Sequence, residues 1–318
     1  MRVGVDIGGT KTDAVVLDAA GSVAHALRVP TGWGDDAVLA TATDAVRRLA
    51  GEAGIQTSSF DSIGVGIPGA VDAEHGIVTH ARNLGVAQLD LGGLLTKNLG
   101  ATVRVENDVN AAALGAFHQL GLSANSSMAY LNLGTGLAAG IVFGGKLWRG
   151  SRGAAGEIGH ILIDPAGPLD GDGQPGALEV MASGSGISSQ WLASAGLDAQ
   201  GRSGDGSGGD GSVHAMLAAA AAGDPEAIRI RRGLFEGVAS AIRILVLTVD
   251  VDLVVIGGGI STMGDDLLLP LQSVIEQWGS NSPFIASLQL GERIRILPPN
   301  SQTAATGAAW LGATPWQR

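Results

Sequence analysis

Along this chain, short apolar runs ended by glycine alternate with longer stretches whose apolar residues recur every three or four positions. Arg2–Ile7 is an apolar run stopped by Gly8-Gly9; residues 12–17 form a second, and Gly21 turns it into a third at residues 22–29. Three such runs joined by glycine turns predict a strand meander. Val38, Leu39, Ala42, Val46 and Leu49 have helical spacing and predict a helix over Asp35–Ala53. Strands are expected at Ser62–Ile67, ended by Pro68-Gly69, and at 102–105, with a helix from Asn107-Asp108 to Leu120. Further on, Pro225 suits the first turn of a helix running to about Val249. Residues 253–256 read as a buried strand, 264–278 as a helix, 293–297 as a strand and 303–311 as a final helix.

Part of this pattern occurs twice. Ala129-Tyr130-Leu131-Asn132-Leu133-Gly134-Thr135-Gly136 resembles Val3-Gly4-Val5-Asp6-Ile7-Gly8-Gly9-Thr10, and an apolar strand follows each, at 14–17 and at 138–143. Strand, turn chemistry and following strand all agree, so the chain reads as two related halves. Residues 201–212 (GRSGDGSGGDGS) read as a flexible insertion between helices rather than a domain boundary.

Composition narrows the class. A chain of 318 residues suits two domains, and 45% hydrophobic residues suffice for a sizeable core. There is no cysteine, which excludes disulfides and thiolate metal sites and fits a cytoplasmic location. The formal charge is −11 and the pI about 4.9, a poor surface for nucleic acid or an anionic membrane. The start of the chain reads as a strand rather than a signal core. The most apolar stretch, 244–260, is broken by Asp250, Asp252 and three glycines and is not expected to span a bilayer.

Five groups of residues carry chemistry. In Asp6-Ile7-Gly8-Gly9-Thr10-Lys11 the glycines let backbone N–H groups crowd a phosphate, Thr10 adds a hydroxyl, and Asp6 can hold a metal ion or its water shell. The bland alternative is a hairpin turn. Leu133-Gly134-Thr135-Gly136 repeats the device in the second half. Glu106-Asn107-Asp108-Val109-Asn110 places a carboxylate where a strand gives way to a helix; Asp108 suits a proton acceptor from an attacking hydroxyl, or a helix cap. Gly156-Glu157-Ile158-Gly159-His160, with Glu179, suits hydrogen bonds to adjacent sugar hydroxyls, although a lone histidine is more often structural. Gly257-Gly258-Gly259, at a strand end, would let adenosine lie against backbone. Two near-matches are rejected. Residues 140–147 end in leucine where a P-loop needs a hydroxyl, and Ser183-Gly184-Ser185-Gly186 has no strand before it.

The order DIGGTK, IPGAV, ENDVNAAALG, LGTGLAAGIV, RGAAGEIGHI and VVIGGGIS, from Val3 to about Gly312, resembles the ROK family of bacterial sugar kinases and repressors. The resemblance implies an α/β, actin-like ATPase fold with two ribonuclease-H-like domains and a cleft between them. It implies ATP-dependent phosphorylation of a hexose or N-acetylhexosamine at the 6-hydroxyl, with ATP and Mg²⁺ as cofactors. Asp108 corresponds to the catalytic base. Gly69, Asn83, Asn107, Glu157, His160 and Glu179 correspond to sugar-contacting positions. Asp6 (the magnesium position), Gly8, Gly9, Thr10, Lys11, Thr135 and Gly136 match the phosphate loops, and Gly257, Gly258 and Gly259 the adenosine motif. The implied domains are 1–117 plus 303–318, with the small-residue final helix crossing back, and 118–302. A homodimer or homotetramer is expected.

Two departures from the family pattern matter. Where many members carry a zinc-binding CxCGxxGC loop, this chain reads Asp170-Gly171-Asp172-Gly173-Gln174-Pro175-Gly176-Ala177-Leu178-Glu179, so no zinc site is expected. The phosphate loop begins at residue 6, so the winged helix-turn-helix of the family's repressors is not expected. A sugar sensor without turnover and a polyphosphate-dependent enzyme are the alternatives. Asp108 argues against the first, and 30 acidic against 19 basic residues argue against a groove for a long anion. The choice among glucose, N-acetylglucosamine and N-acetylmannosamine stays open.

Overall fold

The computed structural model describes residues 1–171, 173–194, 210–298 and 301–312. Asp172 and residues 201–209 of the Gly/Ser-rich stretch lie outside the described residues. The chain forms two compact units, Met1–Tyr130 with Gly140–Ala155 and Asn300–Arg318, and Leu131–Ala139 with Gly156–Pro299.

The first unit opens with strands β1 (Arg2–Ile7), β2 (Lys11–Leu17) and β3 (Val23–Pro30), helix α1 (Asp35–Ala53) and strand β4 (Ser62–Ile67). A small antiparallel sheet follows, of β5 (Ala70–Asp72), β6 (Ile77–Ala81) and β7 (Val86–Asp90), and then α2 (Leu91–Leu99), β8 (Val103–Asn107) and α3 (Asp108–Gln119). Strands β9 (Ser127–Leu133) and β10 (Leu137–Phe143) run through both units, and β11 (Lys146–Trp148) belongs to the first. The second unit adds α4 (Leu178–Ala182), α5 (Gly184–Ser194), α6 (Asp210–Ala221), α7 (Pro225–Val249), β12 (Leu253–Gly257), α8 (Asp265–Asn281), α9 (Pro283–Ser287) and β13 (Ile294–Ile296). Helix α10 (Thr303–Trp310) returns to the first unit, where it packs on β1, β4 and α3.

The main sheet of the first unit has the order β3-β2-β1-β4-β8. Strands β1 to β3 are antiparallel, and β4 and β8 run parallel to β1. The second sheet, β11-β10-β9-β12-β13, repeats the order third, second, first, fourth, fifth. This duplicated arrangement is the actin-like ATPase fold. Among the described residues no helix is long and apolar enough to cross a membrane.

The side chains of a strand alternate between faces, and in the first unit that alternation separates large residues from glycine. Val3, Val5 and Ile7 of β1, Ile63, Val65 and Ile67 of β4, and Val103 and Val105 of β8 join the buried cluster that includes Val38, Ala42 and Leu49 of α1 and Leu91 and Leu95 of α2. The opposite face carries Gly4 on β1 and Gly64 on β4. A Cβ built on Gly4 would overlap the carbonyl oxygen of Ala305, and one on Gly64 that of Ala308. Helix α10 therefore rests directly on sheet backbone. It meets α3 in the same manner: a Cβ on Gly115 would overlap the carbonyl oxygen of Thr303, and one on Gly307 that of Ala111.

Gly64→Ala is accordingly expected to destabilise the protein by about 1–3 kcal/mol, the usual cost of overpacking. Gly51, on α1, has nothing within 4 Å of its Cβ position. Gly51→Ala should stabilise by about 0.5–1 kcal/mol, the helix-interior difference between the two residues. Urea unfolding of both variants checks the pair, and equal effects would show that the contact with α10 sets no limit.

Candidate active site

The glycine-bearing face of the first unit's sheet also carries its acids. Register pairs Asp13 with Asp6, Asp6 with Gly66 and Gly66 with Glu106, so these four residues form one row across β2, β1, β4 and β8. Cross-strand partners share a face. Gly66 lets α3 come close to the middle of the row: its Cβ position lies 3.1 Å from the Cβ of Ala111, 3.6 Å from the Cα of Asp108, at the start of α3, and 3.8 Å from Asp6 Oδ1. Both outer acids hold arginines. Arg28 donates through Nε to Asp13 Oδ1 (2.6 Å) and through Nη2 to Oδ2 (3.0 Å). Arg149 donates through Nε (2.7 Å) and Nη2 (2.6 Å) to Glu106 Oε2. Asp6, between them, is within ion-pair distance of no basic group among the described residues. Burial above all, then the charges of Asp108 and Asp13, pushes its carboxyl from the ordinary 3.8 up to about 7, with Lys11 pulling the other way.

Asn107 caps α3. Its Oδ1 accepts from the backbone N–H of Val109 (2.9 Å) and Asn110 (3.3 Å), and its Nδ2 donates to the carbonyl of Gly69 (3.2 Å). The cap is thus Asn107 rather than Asp108, and Asp108 stands at the first helical position, half-buried. Asn83 is exposed and lies against the phosphate-loop candidate: a Cβ on Gly9 would sit 3.3 Å from its Nδ2. Thr10 and Lys11 are exposed, and the N–H of Gly8 donates to the Lys11 carbonyl (2.9 Å), closing the β1–β2 turn. In this unit Asp6, the Gly8–Lys11 turn, Gly69, Asn83, Asn107 and Asp108 come together.

In the second unit, the Gly134-Thr135-Gly136 turn joins β9 to β10, with Gly134 N–H donating to the Gly136 carbonyl (3.1 Å). Glu179, on α4, accepts the Leu137 N–H at Oε2 (2.9 Å), directly after this turn. Gly257 ends β12, and Gly258, at φ +83°, has no room for a side chain: its Cβ position is 2.8 Å from Asn132 Oδ1. The two glycine motifs of this unit therefore meet at the end of β9, with Gly259 exposed beside them. Glu157 and His160 flank a short 3₁₀ turn and are both exposed. In the loop that replaces the cysteine motif, Asp170 Oδ1 accepts the Gln174 N–H (2.8 Å).

Two contributions were not legible in the sequence. The Ser183-Gly184-Ser185-Gly186 stretch is the start of α5, and it grips the turn: Gly184 N–H donates to the Gly134 carbonyl (2.8 Å), and Ser185 N–H (3.0 Å) and Oγ (2.7 Å) donate to the Thr135 carbonyl. Arg149 is 43 residues from Glu106 in the chain and belongs to no motif.

The raised pKa of Asp6 has a direction that can be measured. Its unfolded carboxyl gives up its proton near 3.8 and its folded one near 7, so the folded state binds the extra proton between these values. The stability this contributes is full below the lower value and is lost as pH rises through the upper one. Asp6→Asn should therefore gain on the wild type as ligand-free protein is taken from about pH 5 to about pH 8. Urea titrations along that range check it, and a difference that stays flat with pH would contradict it.

Known proteins resemble this chain in sequence and fold. A family profile described as ROK family matches residues 2–314. A glucokinase of Halalkalibacterium halodurans is 32% identical over 97% of this chain and 94% of its own length. An N-acetylmannosamine kinase of Citrobacter koseri is 31% identical over 80% of this chain and 82% of its own length. The crystal structure of a ROK family glucokinase from Streptomyces griseus, in complex with glucose and AMPPNP, is 30% identical and superposes with a TM-score of 0.72 over 98% of each chain. A profile that spans nearly the whole chain, over the duplicated fold, leaves one conclusion: the chain belongs to the ROK family.

Proposed function

We propose that this sugar kinase transfers the γ-phosphoryl group of ATP to the 6-hydroxyl of a hexose or N-acetylhexosamine, with Asp108 as general base. One observation carries the assignment. Asp108 opens α3 over the sheet face that also bears Asp6, and Gly66, whose Cβ position is 3.1 Å from the Ala111 Cβ, lets the helix approach that face. A proton acceptor and a phosphate-side acid are thereby held on rigid elements a few ångströms apart. Positioning of this kind supplies much of the rate in phosphoryl transfer.

In the transfer, the 6-oxygen forms a bond to the γ-phosphorus while the bond to the β–γ bridging oxygen breaks and ADP leaves. The hydroxyl proton goes to Asp108. Asn107, Glu157, His160 and Glu179, with Gly69 and Asn83, hold the sugar. The backbone of Gly8, Gly9, Thr10, Thr135 and Gly136 faces the phosphates, with Lys11 beside the first loop, and Gly257 to Gly259 receive the adenosine. Magnesium would be held at Asp6, directly or through water. The residue fits the ion, because a carboxyl pushed up by burial and then by other acids is relieved by a divalent cation. When bound, the ion neutralises charge on the transferring phosphoryl oxygens.

Asp108→Asn is expected to lower kcat by a factor on the order of 10²–10⁴, with sugar affinity largely kept. Coupled ADP release with glucose, N-acetylglucosamine and N-acetylmannosamine tests both the base and the substrate class. Near-normal turnover in the variant removes Asp108 from the role. No turnover by the wild type on any hexose or N-acetylhexosamine refutes the substrate class.

A further inference from the structure

The Gly134-Thr135-Gly136 turn has all three of its carbonyls tied. The Gly136 carbonyl accepts the Gly134 N–H (3.1 Å), and the Gly134 carbonyl accepts the Gly184 N–H (2.8 Å). The Thr135 carbonyl accepts twice from Ser185, through the backbone N–H (3.0 Å) and through Oγ (2.7 Å). The N–H groups of Thr135 and Gly136, by contrast, donate to no partner among the described residues, and Thr135 is exposed.

A trans peptide is planar, with its N–H and C=O on opposite sides. Whatever holds a carbonyl therefore aims the N–H of the next residue. Gly184 and Ser185 are the first two residues of α5, whose N–H groups have no partner inside their own helix. They donate to the Gly134 and Thr135 carbonyls, which turns the N–H groups of Thr135 and Gly136 away from α5. Two successive N–H groups presented on one side form an anion-binding concavity. Glycine tolerates either orientation of the peptide that precedes it, so nothing at position 136 itself keeps that N–H aimed.

Ser185 also sits in a chain of hydroxyls. Its single hydroxyl proton goes to the Thr135 carbonyl, so the 3.2 Å contact between the Ser183 and Ser185 hydroxyls has Ser183 as donor. Ser183, fully buried, accepts the Gly186 N–H in turn (3.0 Å). The hold on Thr135 is thus anchored in the first turn of α5.

We propose that Ser185 is a positioning residue for the nucleotide: by holding the Thr135 carbonyl it aims the Gly136 N–H at a phosphate oxygen. This rests on the reading of ATP as the phosphoryl donor and of this turn as a phosphate loop.

The test uses the full chain with ATP, Mg²⁺ and glucose, or whichever sugar the panel above shows to be turned over. Ser185→Ala removes the hydroxyl and keeps the backbone N–H. It should raise KM for ATP about three- to tenfold, the usual weight of one such hydrogen bond, and leave KM for the sugar within about twofold. Ser185→Thr keeps a hydroxyl and should bring KM for ATP back to within about twofold of wild type. Two competitors of ATP locate the loss. Inhibition by inorganic tripolyphosphate should weaken by the same factor as KM for ATP. Inhibition by adenosine, which has no phosphate for Gly136 to meet, should keep its strength. A rise in KM for ATP of less than about threefold in Ser185→Ala overturns the proposal. So does an equal weakening of adenosine, or a parallel rise in KM for the sugar, which is what a general loosening of the unit would give. If Ser185→Ala fails to fold, the near-isosteric Ser185→Cys, a weak donor, carries the same comparisons with the same outcomes. Failure of the underlying reading shows earlier and separately, as a wild type that neither turns over ATP nor binds ADP.

Discussion

The first unit depends on a face of its sheet that has no side chains where helices must come close. Gly4 and Gly64 let α10 lie against strand backbone, and Gly115 and Gly307 let α10 and α3 meet at carbonyl contact. Interiors pack at crystal-like density, so a single methyl at such a contact has nowhere to go. The same alternation that empties this face of bulk places Asp13, Asp6 and Glu106 on it in one row. Close packing and chemistry are thus set by one pattern of odd and even positions. On β1, β4 and β8 the buried apolar residues go to the α1 and α2 side, and glycines and acids go to the other, where Val15 and Leu17 of β2 join α10.

That row also shows how like charges are kept together in a buried place. Two of the acids are matched by arginine forks, each reaching from a different part of the chain, Arg28 on β3 and Arg149 after β11. The third is left with burial and repulsion, which drive its carboxyl towards neutrality. Concentrating the cost at Asp6 leaves one acid able to gain strongly from a cation, while its neighbours are already satisfied. In the second unit the corresponding strand end carries Asn132 in place of an acid, and the turn beyond it is held by Glu179 and by the start of α5. The repeat preserves the strand and turn and changes the charge.

Much of this was legible in the sequence where the pattern was long or regular. The periodicity from Val38 to Leu49 marked α1, which spans Asp35–Ala53, and Pro225 marked the start of α7, whose cap proves to be Asp224. The paired runs at Val3 and Ala129 marked the two sheets. The segment from Ala70 to Leu99 stayed unread, because β5, β6 and β7 have only 3, 5 and 5 residues and α2 opens with Gly92 and Gly93. Strands so short carry too few alternations to register. The Ser183-Gly184-Ser185-Gly186 stretch was rightly refused as a dinucleotide loop, but nothing local says that its N–H groups serve a turn 50 residues earlier. Gly4, Gly64 and Asp6 alternate with buried apolar residues, but in the sequence their strands read only as apolar runs. Which helix would cover the glycines depends on a return from residue 303, and chain order alone does not supply that.

Glu179 is a single side chain with two obligations. Its Oε2 is committed to the Leu137 N–H behind the Thr135 turn, and the family correspondence gives the same carboxylate to the acceptor sugar. On the proposed assignment of Glu179 to the sugar, a group shared in this way would link the two substrates thermodynamically. Whatever free energy sugar binding spends or releases in seating Glu179 is felt by the phosphate turn, and nucleotide binding must return it in equal measure to the sugar. The coupling sits in one hydrogen bond inside one unit of the fold.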